Sequence, residues 1–166
     1  MDRDKIREVQ EPLKQKYREE PESASITLKA TSRIGEGITC KIETGKMMAE
    51  AGLHPATGGD GLSVCSGDML LEALAACAGV TLNAVATSLN FNLQDARVEA
   101  EGDLDFRGTL AVDKAVPVGF KAIRLHFILN TAEPQQKITT LINLTERYCV
   151  VYQTLVQKNP IRVSVN

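Results

Sequence analysis

Aromatic residues are scarce, at 4% of the 166 residues, and tryptophan is absent altogether. Proteins that hold single strands of nucleic acid need stacking aromatics along a cationic groove, and duplex binders need a basic stripe. Here 19 lysines and arginines stand against 21 aspartates and glutamates, for a formal charge of -2, and the cations are scattered rather than clustered. No nucleic-acid partner is expected. Histidine is almost missing too: His54 and His126 are the only two, and the four cysteines contain no CxxC spacing. Zinc sites rest on such spacings, so no metal and no bound cofactor is expected. The chain also lacks an uninterrupted apolar run of about eighteen residues, and a charged N-terminal stretch followed by an apolar one. A soluble, cytoplasmic protein with no membrane partner is expected.

What remains is thiol chemistry. Cys40, Cys65, Cys77 and Cys149 are 25, 12 and 72 residues apart. Two structural disulfides would suit a short secreted chain with a poor core, whereas 43% hydrophobic content over this length can bury a core of its own. Redox or nucleophilic use of the cysteines is the reading left open. A buried cysteine is also commonly a small hydrophobe with no chemistry, and for Cys40, in a strand pattern, that is the expectation. Cys65, just before a helix, is more open and is an alternative partner for Cys77, although twelve helical residues would hold the two about 18 Å apart. His54, in Leu53-His54-Pro55, is expected to be an exposed loop histidine or to border a pocket mouth.

The pattern of apolar residues predicts the elements. Ile6, Val9, Leu13 and Tyr17 recur at helical spacing, giving an N-terminal helical arm over residues 1–22 ahead of a single domain at 23–166. Alternation at Ile26, Leu28 and Ala30, a turn at Arg33 to Gly37 and renewed alternation at Ile38, Cys40 and Ile42 predict a hairpin, with Lys46 to Ala51 as a third strand. A glycine-rich loop from Gly52 to Val64 leads into a long apolar helix from Ser66 to Leu89, with Asp68 at its positive end. Strands follow at 96–101, 104–112 and 119–130, the last with Ile123, Leu125, Phe127 and Leu129 on one face. Pro134 opens an amphipathic helix that continues or restarts near Cys149 and ends by Gln157, and Ile161 to Val165 closes with a strand. Strands, a long helix, strands, a helix pair and a strand make an α+β chain.

The cysteine segments carry a resemblance. Ser66 to Leu82 resembles the first cysteine helix of the OsmC/Ohr family (osmotically induced protein C and organic hydroperoxide resistance proteins), roughly SPxELLLAALxxCxxxTL. Asp68 stands at its glutamate, Leu70, Leu71, Ala73 and Leu74 match, and Cys77, Thr81 and Leu82 fall in register. Glu146 to Leu155 is similar to the second segment, AxxxCPVSxxL, in Cys149, Val151 and Leu155, with Val150 in place of the proline and Tyr152 in place of the serine.

The resemblance implies an OsmC-like fold, with antiparallel sheets wrapped around long central helices in an intertwined homodimer whose active sites lie at the interface. It implies a two-cysteine peroxidase acting on organic hydroperoxides: Cys77 attacks the peroxide, Cys149 resolves the sulfenic acid as a disulfide, and a dithiol of the dihydrolipoyl type reduces it. A mid-helix cysteine gains little from its own helix dipole, so a cation is expected to activate Cys77. Arg33, in Thr31-Ser-Arg-Ile-Gly35, lies where Ohr proteins carry such an arginine. The glutamate that holds it there, ten residues before the first cysteine, is Gly67 here, leaving Asp68 and Glu72 as the nearest carboxylates. That departure points to a divergent OsmC-like branch. It also keeps an alternative: an OsmC-fold protein with little peroxidase activity that binds a small apolar ligand at the dimer interface. A hotdog-like acyl thioesterase is a third reading, for which no catalytic carboxylate can be picked out.

Overall fold

The computed structural model describes residues 31–34, 39–43 and 48–165, together with Arg3, Asp4, Glu8, Gln15 and Glu19, which are helical. The rest of the N-terminal arm, the first half of the expected hairpin at Ile26 to Ala30, its turn at Gly35 to Ile38 and the side chains of Arg33 and Cys40 lie outside the described residues. The chain divides into two compact units, one of residues 1–11, 73–99 and 125–166, the other of 12–72 and 100–124.

In the second unit, strands β1 (Thr31–Ile34), β2 (Thr39–Glu43) and β3 (Met48–Gly52) form an antiparallel meander. Arg33 pairs with Lys41, and Cys40 sits between Ile34 and Ala51. A two-residue strand, β4 (Val64–Cys65), runs parallel to β3 and passes directly into helix α1 (Ser66–Leu89). Between them, the loop makes a 3-10 turn at Pro55–Thr57 that His54 caps, its Nδ1 accepting the Ala56 N–H at 3.0 Å.

Residues 104–112, expected as a strand, instead contain a short helix α2 (Phe106–Thr109). Their alternation of Leu104, Phe106, Leu110 and Val112 reads as period two, but the Asp105 carboxylate caps the helix through the Arg107 N–H at 3.2 Å. The same carboxylate holds Arg107 and Lys121 at 2.6 and 2.9 Å. Those hydrogen bonds, Arg107 foremost, keep the Asp105 carboxyl well below its usual range. A Cβ on Gly108 would stand 2.6 Å from the Val116 carbonyl oxygen, so the chain can double back here only over glycine.

Strand β5 (Asp95–Asp103) pairs with β6 (Ala122–Asn130). The Gln94 N–H to Asn130 O and Lys121 N–H to Asp103 O bonds at its two ends make the ladder antiparallel. β6 alternates half-buried and exposed residues, with Ile123, Leu125, Phe127 and Leu129 inward as expected. On its outer face Arg124 forks between Glu101 and Asp103, a surface arrangement that orders the strands more than it stabilises them.

The core of the first unit is built on α1. Leu74, Ala78, Leu82 and Ala86, four residues apart, form its buried stripe. Leu82 and Ala86 pack with Phe91 and with Leu141 of α3 (Gln135–Tyr148), and Phe127, Leu129 and Ile138 close around them. The helix stops where the Phe91 N–H bonds the Ala86 carbonyl and the Asn90 N–H that of Thr87, a Schellman ending with Asn90 left-handed at φ 51°. α3 is followed at once by α4 (Val150–Val156).

Two further expectations change. Residues 161–165 form no strand: Ile161, Val163 and Val165 are 87, 88 and 95% exposed, with no neighbouring strand to pair with among the described residues. And α1 is long and apolar enough by length and composition to cross a membrane, with a window of mean hydropathy 1.7. Its apolar character is not visible as an unbroken run because Glu72, Thr81 and Asn83 interrupt it.

Candidate thiol site

Cys77 and Cys149 lie together in the first unit, hydrogen-bonded thiol to thiol. Cys77 is half-buried on α1, next to the fully buried Ala78, so the helix register that sends Leu74, Ala78 and Leu82 into the core sets the thiol at the edge of that stripe. Cys149 is 1% exposed and occupies the break between α3 and α4. Its N–H closes α3 on the Thr145 carbonyl at 2.9 Å, its backbone turns extended (φ -75°, ψ 108°), and its Sγ accepts the Tyr152 N–H at 3.5 Å as the cap of α4. Below it Thr145 and Leu141 are completely buried, and the Gln153 amide donates to the Glu146 carbonyl across the break at 2.9 Å. The break is therefore fixed from both sides.

This geometry turns the first backbone N–H groups of α4 toward Cys77. Burial pushes the Cys77 thiol up, but the Val151 N–H, the Cys149 thiol, the Val150 N–H and the Thr81 hydroxyl outweigh it and bring the thiol below its ordinary value of 9.0. Thr81 contributes least, which fits its single proton being donated to the Cys77 carbonyl at 2.8 Å. Cys149 moves the opposite way. Burial raises it, the hydrogen bond to Cys77 and the charge there raise it further, and the N–H groups of Tyr152 and Val151 only partly offset this. The pair holds one proton more readily on Cys149 than on Cys77, so the thiolate is favoured on Cys77.

The backbone donors are an addition to the cation expected from the sequence, Arg33, whose side chain lies outside the described residues. Among the described residues no cation contributes to the Cys77 shift. Arg33 is placed only by its backbone in β1. Asp68 and Glu72 are exposed and make no hydrogen bond or ion pair with any described residue. Cys65 is a half-buried free thiol in the second unit. The one available signal for the donors was that the second cysteine opens a helix, because a helix start presents N–H groups without intrahelical partners.

A sequence profile of OsmC-like protein matches residues 58–166, well over half of the chain. The chain belongs to the OsmC-like family. No curated protein matches it. Among solved structures, an OsmC-like protein from Mycoplasma pneumoniae is similar at 17% identity and a TM-score of 0.67, over 80% of this chain and 89% of that one. An organic hydroperoxide resistance protein OsmC from Legionella pneumophila is similar at 21% identity and a TM-score of 0.62, over 80% and 90%. An organic hydroperoxide resistance protein from Elizabethkingia anophelis gives 17% and 0.63, over 79% and 89%. These likenesses establish an α+β chain with the OsmC-like fold. In this OsmC-like chain the expected proline after the second cysteine is Val150, and the exchange has a consequence at the site: proline carries no N–H, whereas the Val150 N–H is one of the donors to Cys77.

Proposed function

We propose that this OsmC-like protein is a two-cysteine peroxidase for organic hydroperoxides, and the observation that carries the reading is the opposite displacement of the two hydrogen-bonded thiols. The Cys77 thiolate attacks the terminal peroxide oxygen; the O–O bond breaks, the alkoxide leaves and takes a proton as the alcohol, and Cys77 becomes a sulfenic acid. With its negative charge gone, Cys77 no longer raises Cys149, while the Tyr152 and Val151 N–H groups still favour the Cys149 thiolate. Cys149 then attacks the Cys77 sulfur, water leaves, and the disulfide forms. An external dithiol, of the dihydrolipoyl type, takes the disulfide in exchange and returns both thiols, which suits a reducing cytoplasm. Neither a metal nor a bound cofactor is needed for this balance.

The printed descriptions of two of the relatives as organic hydroperoxide resistance proteins support the substrate class. Arg33 keeps its proposed role as a supporting cation, with Asp68 and Glu72 as carboxylates that could orient it. Consumption of cumene hydroperoxide with a dithiol donor is expected to disappear in Cys77→Ser. Mass spectrometry of the oxidised wild type is expected to find a Cys77–Cys149 disulfide, and its absence after peroxide treatment would sink the two-cysteine scheme. A second reading, ligand binding with little turnover, is motivated by Gly67, which supplies no carboxylate at the start of α1. It is distinguished by Cys77 titrating with peroxide only once, with no sustained consumption.

A further inference from the structure

The second unit contains a cavity of about 320 Å³ that includes neither cysteine of the pair. That volume is at the lower end of the range of about 300–1,000 Å³ in which small-molecule sites fall. Phe106, Phe120 and Leu104 give it apolar walls, and among the described residues no lysine, arginine, aspartate or glutamate lines it. A charged ligand would be desolvated there with no opposite charge to meet it.

Two features make the cavity more than a packing gap. The first is Gly67. A Cβ at that position would touch the Phe120 ring at 3.5 Å, the Cys65 Sγ at 3.6 Å and Leu104 at 3.7 Å, all ordinary contacts. The backbone thus tolerates a side chain at 67, and any side chain longer than alanine's would grow into the space between these walls. Glycine at the first turn of α1 keeps the space open. The second is His54. Its Nδ1 accepts the Ala56 N–H, so the neutral ring carries its proton on Nε2. The ring is held by stacking on Phe106 at 4.9 Å between centroids, yet the Nε2–H has no hydrogen-bond partner among the described residues. A rigid donor without a partner, on the rim of an uncharged apolar cavity, is the arrangement by which pockets fix the orientation of a neutral ligand.

We propose that this cavity is a second small-molecule site, taking a neutral ligand with an apolar ring or short chain and one acceptor oxygen, which the His54 Nε2–H holds while Phe106 and Phe120 cover the apolar part. Cys65 lies in its wall and reports occupancy. The proposal does not depend on the peroxidase reading, so the test uses full-length Cys77→Ser protein, where turnover is removed and the cavity is untouched.

N-ethylmaleimide alkylation of Cys65 is followed by residue-resolved mass spectrometry while acetophenone is titrated in. The rate is expected to fall saturably. Ethylbenzene, of the same shape without the carbonyl, is expected to protect with about 2- to 10-fold lower affinity, the range of one hydrogen bond. Benzoate is expected not to protect. Adding Gly67→Leu, which intrudes among Phe120, Cys65 and Leu104, is expected to weaken protection, whereas Gly67→Ala retains it. His54→Asn keeps an oxygen for the Ala56 N–H but loses the ring N–H, and is expected to erase the preference for acetophenone over ethylbenzene. A Cys65 rate independent of acetophenone, protection undiminished in a Gly67→Leu protein with native circular dichroism, or benzoate protecting as well as acetophenone would each overturn the proposal.

Discussion

At the scale of single residues, the question is what makes one thiol of an apolar chain reactive. The positions of both cysteines were legible in the sequence, because their motifs specify register: Cys77 four residues before Thr81, and Cys149 at a helix start. The Val150 and Val151 N–H groups that lower Cys77 were not legible, because they come from 73 and 74 residues away and backbone atoms leave no mark in a pattern of side chains. Val150→Pro isolates one of them. Proline is well suited to the first position of a helix, and the extended Cys149 backbone is compatible with a following proline, so the fold should be kept while one donor is lost. In the wild type, Cys77 alkylation is expected to rise with pH with its midpoint below 9.0, the ordinary thiol value, whereas that of reduced Cys149 is expected to lie above it. In Val150→Pro the Cys77 profile is expected to move to higher pH, and the rate near neutrality to drop by about 2- to 10-fold, the range of a net hydrogen bond of roughly 0.5–1.5 kcal/mol. An unchanged profile would remove the backbone from the account. The same displacements carry signs for stability. Ionised Cys77 stabilises the fold at high pH and loses that contribution as pH falls through its lowered value; Cys149 stabilises at low pH and loses its contribution as pH rises through its raised one. The two oppose each other, so reactivity is the cleaner readout.

At the scale of elements, agreement and disagreement have a common cause. α1 was legible from end to end because composition, a first-turn aspartate and a left-handed asparagine all point to the same boundaries. Residues 104–112 were misread because period two is a property of side chains, while the helix there is decided by a single capping carboxylate and by a glycine with no room for a Cβ. Period two was read correctly in β6, where a buried face exists to enforce it. Residues 161–165 show the same alternation without such a face. The Schellman ending of α1 gives this argument a measurable form. At φ 51° Asn90 is tolerated, and Asn90→Gly is expected to leave stability within a few tenths of a kcal/mol. Asn90→Val places a β-branched residue in left-handed backbone and is expected to cost about 1–2 kcal/mol. Urea denaturation compares the two, and equal midpoints would mean that the ending does not set the boundary.

At the scale of the whole molecule, the large exposed apolar residues call for a partner. Only 22% of the most apolar window of α1 is buried within the chain, and Val80, near its middle, is 73% exposed. Alongside it a cavity of about 530 Å³ is lined by Ala75, Ala76 and Gly79, small residues that let another helix approach closely. Beside the thiol pair, Val150 and Tyr148 are 70% and 60% exposed, and the apolar side chains of 161–165 are almost wholly in solvent. A helix of this composition lies in a membrane or inside a larger core, and we take the core, because the thiol exchange proposed above needs water at hand. The partner we propose is a second copy of the chain, in the intertwined homodimer that the family resemblance implies. On this account the monomer has no complete core, so folding and association are one step and the melting temperature rises with protein concentration. Sedimentation equilibrium is expected to give a dimer at micromolar concentration without detergent. Val80→Asp would set a carboxylate in each subunit against the buried face of the other, and is expected to shift the equilibrium toward monomer, increase binding of an apolar dye and reduce peroxide turnover together. A wild-type monomer with full turnover would show that the thiol pair is complete within one chain and that the exposed face of α1 serves something else.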